Sequence, residues 1–276
     1  MPILDLKNSG GYLHFDRDQC VAEGEKRAAE YQGASPFPHI MMEDFIGTDV
    51  LHKVVEQFPS REGRTYFDRA QERFKYQFDP NTVDSPLVRN LLAELNGEPF
   101  LAFLSAMTGI EGLISDPYYS GGGLHETLSG GHLSIHADFN MHAEMKVERR
   151  LNLLIYLNED WPEEYGGQLE LWDKKMRSAA KSILPVMGRA VVFSTTLQSF
   201  HGQPDPVRCP PDRSRRSIAT YYYTALPVEA GIKRRTTTFQ TRPESVDRTD
   251  WKVRYNHFVQ DWVPPRLQGA ARRLVK

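Results

Sequence analysis

The sequence predicts an α+β fold, with a β-rich core of sandwich or double-sheet jelly-roll type closed off by helices that precede it. In three stretches between residues 48 and 108 apolar side chains recur at helical spacing. From Ile110 onward the chain changes to short β-prone runs separated by Gly, Pro and charged turns. At 276 residues, 40% apolar and 11% aromatic, the chain can bury a sizeable core.

Taken in order, the polar opening reads as a loosely structured amino terminus, and SPFPHIMMEDFI as a short strand. Thr48 is placed to cap a helix that buries Val50, Leu51, Val54, Val55 and Phe58 and stops at Pro59. Ser85 caps a second helix with Pro86 at its first position, and Leu87, Val88, Leu91, Leu92 and Leu95 follow at helical spacing up to Gly97. A third runs from about Pro99 to Thr108 on Phe100, Leu101, Phe103, Leu104 and Met107. These stripes read as core packing. Strand-like runs follow at 113–119, 123–128, 132–137, 151–157, 168–172, 182–184, 189–194, 199–202 and 217–224, and a helix is expected near 250–261. The chain thus divides into a helical support segment (1–109), a jelly-roll core (110–225) and a basic C-terminal segment (226–276), within one structural domain overall.

The formal net charge of -2 gives no overall pull toward nucleic acid. From Leu226 onward there are 11 Lys and Arg against 5 Asp and Glu, and this basic tail, with Arg272, Arg273 and Lys276, reads as solvated. Cys20 and Cys209 stand far apart and outside any Cys/His cluster, so neither a zinc site nor a disulfide framework is expected, and a reducing cytoplasm fits best. MPILDLKNSGGYLHFDRD lacks the pattern of an export signal, and no window approaches a membrane span. Nothing in the pattern speaks to oligomeric state.

Ser134 to Asn140, SIHADFN, places His136 and Asp138 two residues apart. In an extended strand they point the same way, as two neighbouring metal ligands must. The same spacing at His14 and Asp16 reads as chance. A facial triad of two histidines and one carboxylate needs one further imidazole and leaves three octahedral positions open. His201 supplies it, because in a jelly roll about four strands of intervening sequence bring the second strand and the seventh side by side. Arg215 and Ser217 then share one face of the following strand, where a guanidinium and a hydroxyl suit a buried carboxylate.

This pattern resembles the Fe(II)/2-oxoglutarate-dependent dioxygenases, specifically their prolyl-4-hydroxylase-like branch. LNLLIYLNEDWPEEYGGQLELWD (151–173) is similar to the hypoxia-sensing and ribosomal prolyl hydroxylases, and the matching pieces span about Gly123 to Tyr222. The resemblance implies a double-stranded β-helix core and a hydroxylase that acts on an unactivated C–H bond and releases succinate and CO2. Fe(II), 2-oxoglutarate and O2 would be required, with ascorbate as a possible reductant. His136, Asp138 and His201 would bind iron, while Arg215, Ser217 and Tyr156 would hold the distal carboxylate of 2-oxoglutarate. The chain departs from many relatives where a tyrosine on the strand before HxD contacts the cosubstrate. His125 either replaces that tyrosine or faces a neighbouring strand. Asn140 and Asn152 are candidates to line the substrate pocket, and Arg149 and Arg150 read as solvated cations. Asp138 stands where halogenating relatives have a small residue, so no halogenation is expected. A prolyl residue, an amino acid and a small metabolite all remain open as substrates. The competing readings are a non-catalytic jelly-roll binding protein and a zinc hydrolase; the first has no use for three ligands plus Arg215, and the second leaves Arg215 unexplained.

Overall fold

The computed structural model describes residues 1–226, 234–249, 251–264, 266–268 and 271. Asp250, Arg272, Arg273 and Lys276 therefore lie outside the described residues. The chain opens with a hairpin, β1 (Leu6–Ser9) and β2 (Tyr12–Phe15), followed by α1 (Arg17–Gly33). The expectation of a loose amino terminus is thereby corrected. Asp16, half of the chance HxD pair, caps α1 by accepting from the Gln19 amide at 3.0 Å. The hairpin is tied down by side chains of a later helix: Asn90 bonds both backbone groups of Leu13, and Glu94 accepts from the Phe15 amide. Helix α1 buries Cys20, Gly24 and Tyr31 instead of a leucine stripe. At Gly24 an added Cβ would lie 2.5 Å from the Phe103 carbonyl, so two helices approach there more closely than any side chain allows.

Next come β3 (His39–Met42), α2 (Thr48–Glu56), the hairpin β4 (Thr65–Arg69) and β5 (Glu72–Phe78), then α3 (Pro86–Leu95) and α4 (Glu98–Thr108). Gly47 occupies the N-cap of α2 and makes Thr48 its first residue. Ser85 caps α3 as expected, accepting from the Val88 amide at 3.2 Å. The core strands are β6 (Ile114–Ser115), β7 (Gly123–Ala137), β8 (Glu148–Tyr156), β9 (Leu169–Trp172), β10 (Ala179–Ile183), β11 (Ala190–Ser194), β12 (His201–Gln203) and β13 (Arg215–Thr224). The short β14 (Thr238–Phe239) and α5 (Trp251–Trp262) complete the fold. The two runs expected at 123–128 and 132–137 form the single strand β7. Its glycine at 131 lies against β5, where an added Cβ would sit 2.7 Å from the Arg73 carbonyl.

The strands pair in the order β10-β9-β12-β7-β13-β8-β11-β3, all antiparallel, with β5 and β14 also on β7. The first half of β7 pairs with β13 and its second half with β12, so the sheet curls into a double-stranded β-helix. β3 and β5 from the first part of the chain, and β14 from the last, join the same sheet as the jelly-roll strands.

Strand parity separates packing from function. On β8, Leu151, Leu153 and Ile155 face the helices and join a core with Leu91, Leu92, Phe100 and Phe103. Leu154 and Tyr156 face inward with Phe193 and Leu171. On β13, Ile218 and Tyr222 belong to the helix-side core. Arg215, Ser217 and Tyr221 face the interior cavity. The helices therefore seal one face of the sheet and leave the other to build a site. Among the described residues no helix is long and apolar enough to cross a membrane.

Candidate metal centre and adjoining cavity

Antiparallel pairing of β7 and β12 sets His201 opposite His136, with ring centroids 4.5 Å apart. Asp138, just beyond β7, puts Oδ1 3.6 Å from His136 Nε2 and Oδ2 3.4 Å from His201 Nε2. Each imidazole Nδ1 lies 2.9 Å from a backbone carbonyl, that of Ser134 or of Ser199. A carbonyl oxygen can only accept, so a proton is assigned to Nδ1, and in the neutral ring Nε2 is left with a bare lone pair. Two such nitrogens and a carboxylate facing one another repel unless a cation lies between them. Ligand atoms of the three residues fall within 4.8 Å of one another. This N2O donor set fits a divalent metal such as iron.

Charge states at neutral pH agree with that fit. Burial pushes the Asp138 carboxyl up, but Arg149, His201 and His136 outweigh it and hold it well below the usual carboxylate range. His201 is pushed down to about 4, first by burial and then by His136, against the opposing pull of Asp138.

The three residues line a cavity of about 80 Å³ together with Arg215 and Ser217. Alternation along β13 turns those two inward and sends Arg216 outward to Glu126 at 3.1 Å. The Arg215 Nε donates to the Gly167 carbonyl at 2.7 Å, and its guanidinium carbon lies 5.1 Å from the centre of the Tyr156 ring. Burial pushes the guanidinium down from its ordinary pKa, and no described carboxylate pairs with it. Gly167, at φ 76°, gives it room, since an added Cβ would stand 2.9 Å from Arg215 Cδ. Beside it the Tyr156 hydroxyl is buried without a hydrogen-bond partner. Burial raises that phenol while the charge of Arg215 works against the rise. An unpaired buried cation next to an unpaired buried hydroxyl fits an anionic ligand such as a carboxylate.

His125 sits opposite Ser217 in the register and lines the same cavity, its Nε2 3.0 Å from the Gly121 carbonyl. Burial first, and then Lys75, push its pKa well below the ordinary value, so the ring is neutral. Lys75 is a residue the sequence pattern did not single out. It reaches the cavity from β5, nearly buried, with its ammonium 3.0 Å from Glu72.

Arg149 corrects the expectation of a solvated cation. It is buried, its Nη2 lies 3.1 Å from Asp138 Oδ2, and its guanidinium carbon is 3.5 Å from the centre of the Tyr221 ring. Asn152 lines the cavity, and its side-chain amide donates to Asp138 Oδ2 at 2.8 Å. The Asn140 side chain is turned elsewhere and accepts from the Arg235 amide at 2.6 Å. It thereby helps hold the C-terminal segment at the rim, where β14 pairs Phe239 with His136 at a ring distance of 5.5 Å. The segment read as a solvated basic tail thus contributes a wall to a mouth cavity of about 430 Å³, which Phe139, Tyr221 and Phe239 also line. A two-residue strand is too short to leave a periodic signal. Larger clefts of about 720 and 700 Å³ lie elsewhere, and neither contains the converging ligand set.

Residues 122–223 match the 2OG-Fe(II) oxygenase superfamily. The chain is 24% identical over 197 residues to the prolyl 3-hydroxylase OGFOD1 of Mus musculus, an alignment that covers 68% of this chain and 33% of the mouse protein. It therefore spans about a third of the length of that relative. In fold it is similar to a prolyl-4-hydroxylase of Pseudomonas putida, with TM-score 0.52, 17% identity, and coverage of 75% of this chain and 100% of that one. It is also similar to a prolyl hydroxylase of Trichoplax adhaerens solved with a hypoxia-inducible factor oxygen degradation domain peptide fragment, with TM-score 0.54, 15% identity, and coverage of 75% and 94%.

Proposed function

We propose that this protein, whose residues 122–223 match the 2OG-Fe(II) oxygenase superfamily, is an Fe(II)- and 2-oxoglutarate-dependent hydroxylase whose target is a prolyl residue on a peptide. His136, Asp138 and His201 hold the metal, while Arg215, Tyr156 and Ser217 take the distal carboxylate of 2-oxoglutarate. Bound Fe(II) with this cosubstrate supplies O2-dependent hydroxylation of an unactivated C–H bond, with release of succinate and CO2.

The chain's own residues prepare the site for that chemistry. Backbone carbonyls hold Nδ1 of both histidines and so turn Nε2 of each toward the metal position. Gly167 and Tyr156 hold the Arg215 guanidinium in place before the cosubstrate arrives, which lowers the ordering cost of binding. Leu154, Leu169 and Phe193 give the inner cavity apolar walls that limit water. At the mouth, Phe139, Tyr221 and Phe239 line an aromatic wall suited to an apolar ring such as that of proline. The prolyl assignment draws its support from the relatives as well as from these aromatic walls.

The observation that carries the proposal is the presence, in one cavity, of three converging ligand atoms and a buried guanidinium with no carboxylate partner among the described residues. Its test is anaerobic addition of Fe(II) and 2-oxoglutarate, which should give a weak visible charge-transfer band. Aeration with proline-containing peptides should then stimulate succinate release and add one oxygen atom to a prolyl residue, read by mass spectrometry. Absence of both band and succinate would favour a binding protein. Succinate release stimulated by a small molecule and by no peptide would replace the prolyl target and keep the reaction class.

A further inference from the structure

We infer that Arg149 and Asn152 restrict Asp138 to a single metal-donating oxygen and thereby keep a third coordination position open. The inference rests on the reading of His136, Asp138 and His201 as a metal centre. Asn152 Nδ2 donates to Asp138 Oδ2 at 2.8 Å, and Arg149 Nη2 lies 3.1 Å from the same oxygen. Arg149 is itself locked, because its Nε and Nη2 donate to Asn152 Oδ1 at 2.9 and 2.7 Å. Its guanidinium also lies against two rings, with the carbon 3.5 Å from the centre of Tyr221 and 4.5 Å from that of Phe139. Such an arrangement restricts both donors in rotation as well as in distance.

A carboxylate oxygen has two lone pairs. Oδ2 accepts from the Asn152 amide and lies against the Arg149 cation, and these two hold it although it also stands 3.4 Å from His201 Nε2. Oδ1 receives no hydrogen bond from a described residue, and its neighbour is His136 Nε2 at 3.6 Å. The protein thus offers a metal two imidazole nitrogens and one carboxylate oxygen. Three donors leave three octahedral positions, whereas a carboxylate binding through both oxygens would leave two. A chelating 2-oxo acid fills two, so the third depends on Asp138 staying one-sided. Arg149 and Asn152 are on this account positioning residues: they touch the ligand, not the reacting atoms.

Mn(II) serves as the probe, on protein without 2-oxoglutarate. Broadening of its electron paramagnetic resonance signal in H2(17)O counts the water molecules on the metal. Wild type is expected to carry three. Arg149→Met should carry two, because the cation that holds Oδ2 is removed, and Arg149→Lys should restore part of the third. Asn152→Leu, which keeps the guanidinium in the chain, removes the hydrogen bond to Oδ2 and should also carry two; it decides the matter if Arg149→Met does not fold. Three waters and an unchanged signal in a folded variant would overturn the inference while leaving the metal centre intact. Failure of the wild type to bind Mn(II) would overturn the metal centre itself, and the inference with it.

Discussion

Arg215→Met removes the guanidinium and keeps a flexible apolar side chain of similar length. In the structure that guanidinium is buried, makes a hydrogen bond to the Gly167 carbonyl and lacks a described carboxylate partner. If it takes the distal carboxylate of 2-oxoglutarate in two charge-assisted hydrogen bonds, each is worth ~1.5–3 kcal/mol. Their loss amounts to ~3–6 kcal/mol, or ~10²–10⁴-fold in affinity. Stability should move differently. Leaving the Gly167 carbonyl unpaired costs ~1–3 kcal/mol, whereas relief of an uncompensated buried charge is worth several kcal/mol in the other direction. The ligand-free variant should therefore unfold at a temperature equal to or above that of wild type. Isothermal titration of 2-oxoglutarate into the Mn(II)-loaded protein, with Mn(II) affinity and thermal unfolding in parallel, separates these effects. A change in 2-oxoglutarate affinity below about fivefold, or a matching loss of Mn(II) affinity, would refute the assignment of Arg215.

Three further outcomes are expected. Gly167→Ala should strain a backbone at φ 76° and press its Cβ on Arg215, costing ~1–2 kcal/mol of stability and weakening 2-oxoglutarate binding about tenfold, with Mn(II) affinity unchanged in the same titrations. Glu126→Gln removes the charge from a buried carboxylate bonded to Arg61, Ser214 and Arg216; thermal unfolding should fall by roughly 6–12 °C, for a loss of ~3 kcal/mol. The metal-free protein should lose stability in acid. Burial holds the folded His201 down at about 4, against the ordinary imidazole value of 6.5 in the unfolded chain, so between those values the unfolded chain binds a proton that the folded one excludes, and stability falls as pH drops, by at most ~3 kcal/mol from this residue. Asp138 extends the loss below 3.8, since its folded pKa is depressed. Urea titrations of metal-free protein at a series of pH values check this, and a flat profile between pH 6.5 and 4 would contradict the burial of a neutral His201.

The sequence by itself determined what short-range geometry determines. Alternation along an extended strand places His136 with Asp138, and Arg215 with Ser217, whatever the rest of the chain does. Helical periodicity likewise marked α3 and α4, whose leucines and phenylalanines fill the core beneath the sheet. Tertiary structure decided the features that depend on partners distant in sequence. Helix α1 buries Cys20, Gly24 and Tyr31, a set with no apolar stripe to read. The hairpin β4–β5 brings Lys75 to the cavity from a stretch whose charges mask its alternation. Arg149 looks like a surface cation in sequence, and only the packing of Tyr221, Asn152 and Asp138 around it makes it a buried one. The same holds for Phe239, which reaches His136 through a two-residue strand. Local periodicity records which face a side chain takes; whether that face meets water, a metal ligand or another strand is settled by the long-range pairing that closes the sheet.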